Sequence, residues 1–304
     1  MRSIGLAVLI LLFACQVNAA DYVSKVIENG QIRWTKIPMP LGVSHIPDLK
    51  NLEWHRRTVG NIEILALDDA QGVYLKQTLP RILPWLTSRW GLRPARLSVP
   101  VRMLVVNDAE LMKKLFKIQY SKAEPFRNYE GQILHVVYLL FDGEPLDSIS
   151  DPMTVLALAE QSRAGGGDFG LWAQRGMVGL NGSLNKVKAR MASLAGLSRN
   201  NQLMSSGKLF TLTQDQWYKL KPGEKALFDN QCTALCLLLR KEFGQQNLHM
   251  FWRAGSTEGA FAQVYGFSGF AEFDRSYFRY CFDIANEVSA NKAPNHYLQV
   301  NAKR

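Results

Sequence analysis

Apolar residues recur along the chain with two periods, and the change from one to the other divides it. Residues 22–38 alternate polar and apolar side chains around Glu28-Asn29-Gly30, which predicts a β-hairpin closed by an Asn-Gly turn. A proline-rich connector, 37–47, follows. Residues 61–67, 97–106 and 132–141 read as apolar strands, the last being the most apolar. Between the first two, Val73, Leu79, Ile82, Leu83, Leu86 and Trp90 fall at helical spacing and stop at Gly91, with Pro80 and Pro84 as places where that helix can kink or divide. Residues 109–116 predict a short helix. Strand, helix, strand, helix, strand predicts a small mixed sheet covered by helices.

From residue 151 the period is helical. Residues 153–163 and 169–180 are two helical stretches joined by Gly165-Gly166-Gly167. Phe228, Cys232, Leu235, Cys236, Leu239 and Phe243 form one apolar face, which Gly244 ends. Ser256-Thr257 caps a short helix ending at Gly266, and Ser268 starts another that presents Phe270, Phe273, Tyr277, Cys281 and Ile284. Such stripes read first as core packing. The expected fold class is therefore α+β: a small mixed β-sheet with helices, followed by a mainly helical lobe. The expected divisions are a leader at 1–19, a hairpin and linker at 20–47, a mixed α/β part at 48–150, the helical lobe at 151–290 and a tail at 291–304.

The leader rests on Met1-Arg2-Ser3, an apolar run from Ile4 to Ala14 too short to span a bilayer, and Val17-Asn18-Ala19 as a cleavage site. It predicts export to the periplasm or beyond. A lipoprotein signal at Cys15 is the competing reading, disfavoured by bulky Phe13 where a small residue is usual. About 285 residues then remain, enough to bury a substantial core. An apolar content of 47% with 20% charged residues excludes a disordered chain. The net charge of +10 suits an anionic surface or polymer, but the basic residues are spread along the chain, which fits simple solubility equally well. The partner stays open between an envelope protein and an anionic polymer. Nucleic acid is not expected, and no later stretch is apolar enough for a membrane span.

With Cys15 in the leader, Cys232, Cys236 and Cys281 remain. One bridge plus one free thiol is the natural count in an oxidising compartment. Cys232 and Cys236 lie one helical turn apart, so Cys281 is the better partner for either; three buried thiols is the other reading. No neighbouring His or Cys completes a tetrahedral zinc set around them.

Tyr22, Glu28, Asn29, Gly30, Trp34 and Thr35 resemble a short domain of unknown function that follows the leader in many envelope proteins, which implies location more than activity. A larger resemblance covers roughly 52–282. Its pieces are Gly131 entering the third strand, a helix beginning near Val155, a Trp-x-x-x-Gly segment, and a helical tail. That tail carries Phe243-Gly244, Phe251-Trp252, Gly255, Glu258, Ala260, Tyr265-Gly266-Phe267-Ser268 and Phe273. In this order the chain resembles the gluzincin-type zinc peptidases.

Active members hold zinc with H-E-x-x-H on one helix and a Glu on the next, since imidazoles at i and i+4 face one way and a carboxylate closes the site. Here the corresponding helix reads Val155-Leu156-Ala157-Leu158-Ala159-Glu160-Gln161-Ser162-Arg163, without histidine in either register. The second motif reads Trp172-Ala173-Gln174-Arg175-Gly176, with Arg175 where the third ligand belongs. The resemblance thus implies neither metal nor cofactor, and a degenerate cleft formed by Glu160, Arg163, Asp168, Trp172 and Arg175. Arg163 and Arg175 in such a cleft either make an anion pocket or pair with Glu160 or Asp168.

The leading expectation is an inactive, peptidase-like envelope protein that binds or scaffolds. One alternative is a hydrolase that uses Glu160, Asp168 and Tyr265 instead, and another is a basic protein that contacts lipid headgroups or cell-wall polymers. His45, His55, His135, His249 and His296 show no ligand spacing and read as solvated or core residues. Asp168-Phe169-Gly170 and Gly266-Phe267-Ser268-Gly269 lack the surrounding elements of a kinase magnesium loop and a hydrolase elbow.

Overall fold

The Asn-Gly hairpin forms as the alternation predicts: strand β1 (Tyr22–Glu28) pairs antiparallel with β2 (Gln31–Ile37), and both turn residues take positive φ, 50° at Asn29 and 78° at Gly30. In the computed structural model, which describes residues 22–37, 52–92, 97–118, 120–127, 133–141, 145–163, 169–200 and 202–289, the hairpin is the edge of a larger sheet. β1 runs parallel to β3 (Glu53–Val59), with Val26 opposite Trp54.

The chain divides into two units, one of residues 1–78 with 99–142, the other of 79–98 with 143–304. In the first, seven strands lie in the order β2-β1-β3-β4-β5-β7-β6, where β4 is Ile62–Ala66, β5 Val101–Val106, β6 Lys122–Arg127 and β7 Ile133–Leu140. β4, β5 and β7 are parallel neighbours, and β6 returns antiparallel to β7. Parallel neighbours need crossovers: helix α1 (Asp69–Arg89) leaves β4, and α2 (Ala109–Phe116) follows β5.

Side-chain alternation sends Trp54, Leu65, Leu104, Val136 and Tyr138 to one face, where Met112, Leu115 and Phe116 of α2 join them. Residues of the other parity, Ile64, Met103, Val105, Val137 and Leu139, are equally buried. A sheet buried on both faces explains why these strands are continuous apolar runs instead of alternating ones. β3 and β6 escape that pattern because polar residues such as Arg56, Arg57 and Lys122 interrupt them.

The second unit is helical: α3 (Pro145–Gln161), α4 (Leu171–Asn181), α5 (Leu184–Arg199), α6 (Ser206–Thr211), α7 (Gln214–Lys219), α8 (Pro222–Arg253), α9 (Glu258–Tyr265) and α10 (Phe270–Ser289). The expected stop at Gly244 is a break inside α8: its φ of 82° and ψ of 159° lie where only glycine is comfortable, and helix resumes beyond it. Thr257 caps α9 by accepting the Ala260 N–H at 3.2 Å, and Gly266 ends it at φ 78°. At the start of α10, carboxylates take the free amides: Phe270 N–H donates to Glu258 and Ser268 N–H to Glu272, at 2.9 and 2.7 Å. Pro80 and Pro84 are accommodated inside one continuous α1.

α4 and α8 pack through small residues. A Cβ on Gly176 would overlap the Cys236 sulfur, and one on Gly179 would overlap the Thr233 side chain. Trp172, one turn before Gly176, is completely buried. The expected bridge is not formed: Cys232, Cys236 and Cys281 are all buried and free, because they serve as core side chains, with Cys281 hydrogen-bonded to Tyr277. No helix among the described residues is long and apolar enough to cross a membrane.

Candidate binding site

Glu160 lies in the last turn of α3 and is 5% exposed. Its Oε2 accepts both the backbone N–H and the hydroxyl of Ser98, at 3.0 and 2.6 Å, and Arg163 Nε stands 4.0 Å from its other oxygen. A buried carboxylate must be satisfied in this way or carry a large desolvation cost. The result is a clamp between residue 98 and α3. Leu158, at a position where the resemblance would put a metal ligand, is buried in the hydrophobic core.

Trp172 is likewise a packing residue. Its Nε1–H donates to Ser256 Oγ at 3.0 Å, and its ring meets Phe210 edge-on at 4.9 Å. Arg175 turns to α8: its Nε is 3.7 Å from Asp229 Oδ1, and its guanidinium lies 3.9 Å above the Trp217 ring, within cation–π range. Burial raises the pKa of Asp229, and Arg175 opposes that rise. Of the two readings of these arginines, Arg163 follows the one that pairs it with Glu160, while Arg175 takes a different partner, pairing with Asp229 and stacking on Trp217. Asp168 lies outside the described residues. Tyr265 sits in an aromatic cluster with Phe243, Phe251 and Phe261 at 5.0, 5.5 and 4.8 Å, and burial raises its pKa.

Near the end of α3 the structure opens a pocket of about 40 Å³, lined by Gln161, by Gly91 and Leu92 after α1, by Phe169, and by His249, Trp252 and Arg253 of α8 beyond its break. His249 stacks on Trp252 with centroids 5.0 Å apart. Its Nε2 and the Trp252 indole nitrogen are both buried without a hydrogen-bond partner. Burial lowers the His249 pKa and Arg253 lowers it further, while a hydrogen bond with the Trp90 backbone works the other way. A neutral imidazole, an indole, a buried amide and a rim guanidinium can recognise a small polar ligand.

Sequence reasoning passed over His249, since no second histidine stands at ligand spacing. The available signal was glycine punctuation, Gly91 at φ 59° and Gly244 at φ 82°, which brings the two chain segments together. A Cβ on Gly91 would stand 3.2 Å from the His249 ring. The other described histidines are structural: His55 Nδ1 is 3.8 Å from Asp69, and His135 is buried within β7. His45 and His296 lie outside the described residues. No group of three or more His, Cys, Asp or Glu among the described residues is placed to hold a metal ion.

In comparisons with known proteins, no family model and no curated protein matches the chain.

Proposed function

We propose that the protein is an exported, peptidase-like module of the cell envelope that acts by binding and not by metal-assisted hydrolysis. The observation that carries this reading is the environment of Glu160. It is the one glutamate on the helix that would bear the catalytic glutamate, and its carboxylate is engaged by Ser98 and faced by Arg163. A general base must keep a lone pair free toward a water or substrate. Arg175, where a third ligand would stand, brings positive charge and is held by Asp229 and Trp217. Both positions carry fold-stabilising contacts.

The same reading gives the pocket at His249 and Trp252 the binding role, because unpartnered buried nitrogens are costly unless something meets them in the working state. Metal analysis of the purified chain, together with peptide hydrolysis with and without a chelator, tests the proposal. Substoichiometric zinc and no chelator-sensitive cleavage are expected. One zinc per chain with cleavage abolished by chelation would overturn it.

A further inference from the structure

Among the described residues, two half-buried arginines of the helical unit stand without a carboxylate partner. Arg89, in the last turn of α1, donates from Nη2 to the Leu180 carbonyl at 2.7 Å, and its Nε is buried with no partner. Its guanidinium lies 5.1 Å over Trp85. Arg240 of α8 lies 5.1 Å over the ring of Trp90, the residue next to Arg89, and makes no side-chain hydrogen bond or ion pair among the described residues. Trp90 is fixed in turn by donating Nε1–H to Asn181 at 2.9 Å. Consecutive residues 89 and 90 are thus anchored on consecutive residues 180 and 181, and Arg240 is brought beside them.

The charge of Arg240 reaches Arg89. Burial and then the charge of Arg240 lower the pKa of Arg89 to about 10, and burial also lowers that of Arg240. The C-terminal ends of α1 and α4 offset part of this, roughly half a charge each. The pair stays net positive in a partly dehydrated setting, the arrangement that a guanidinium-binding anion relieves.

We propose that Arg89 and Arg240 together hold a phosphate-type oxyanion, supplied as a free phosphorylated solute or as a lipid headgroup. A tetrahedral oxyanion offers enough oxygens to meet both guanidinium groups at once, and its charge offsets theirs.

Titration calorimetry of the full chain with inorganic phosphate at low ionic strength is one arm of the test. Sedimentation with phosphatidylglycerol vesicles, against phosphatidylcholine vesicles, is the other. Arg240→Gln is the informative variant, since Arg240 supports no hydrogen bond of the fold; Arg240→Lys keeps the charge but loses the fork. Circular dichroism of each variant reports folding. Phosphate binding that falls by about tenfold or more in Arg240→Gln and less in Arg240→Lys is expected. Binding to phosphate alone supports a soluble ligand, and binding to the anionic vesicles alone supports a headgroup, provided Arg240→Gln abolishes it. Binding to neither, or equal binding by the variant, overturns the proposal. That failure would leave the zinc and hydrolysis test above untouched, and a zinc-dependent activity would leave this site standing.

Discussion

Trp90 donates its indole N–H to the side-chain oxygen of Asn181, 2.9 Å away, and both residues are buried. The amide of Asn181 donates onward to Thr154 Oγ1 at 2.8 Å, so one side chain ties the end of α1 to α3 from its place on α4. Asn181→Leu keeps the volume but leaves the Trp90 N–H without its acceptor. The expected loss is about 2–4 kcal/mol, summed over the polar groups left unpaired. Urea unfolding followed by tryptophan fluorescence measures it, and a loss below about 0.5 kcal/mol would mean that the bridge contributes nothing beyond packing.

The contact of α4 with α8 makes a second case. Gly179→Ala drives a methyl into Thr233, and overpacking of this kind costs about 1–3 kcal/mol. Shortening the opposing residue in Thr233→Ala should recover part of that loss. A double-mutant cycle reads the recovery directly, and additive effects would show that the helices simply move apart.

Buried thiols predict chemical silence. In the native chain at pH 8, Cys232, Cys236 and Cys281 should not react with a disulfide reagent, whereas all three should react in denaturant without prior reduction. Burial pushes the Cys281 thiol from near 9 up to about 12. A raised pKa means that the folded chain holds its proton more tightly, so this contribution is complete below pH 9 and disappears as the pH climbs toward 12. Unfolding free energy should fall across that window; a bridge found by mass spectrometry would remove the basis of the prediction.

How much of this was legible in the sequence depended on what each side chain had to do. The Asn-Gly hairpin and helix 109–116 follow from backbone preferences that few contexts override, and they stand where expected, whereas Gly244 interrupts its helix without ending it. β3 and β6 were hidden because they alternate poorly, and α5 to α7 because surface residues dilute their apolar stripes. The candidate site was harder to read. Arg175 looked like a cleft residue from its place in a motif, but its destination was set by Asp229 and Trp217, more than forty positions away. His249 had no partner in sequence at all; it gains its meaning from Gly91 and Trp252 across the fold.

His249 supplies the acid counterpart of the thiol prediction. Its pKa is depressed, so its contribution to stability is whole above the ordinary value near 6.5 and is lost as the pH falls through the lower folded value. Stability should therefore decline from pH 7 to pH 5 in the native chain, and more shallowly in His249→Gln. Denaturant midpoints at the two pH values for both proteins decide it, and parallel slopes would count against a buried neutral imidazole.

Gly244 gives α8 a joint. An added side chain there would meet no atom within 4 Å, so the position is reserved by torsion and not by crowding. Every residue on the far side of that bond, His249, Trp252 and Arg253 among them, takes its aim from one pair of backbone angles. A change confined to those angles would re-point the whole recognition wall while leaving the helix faces on either side of it intact.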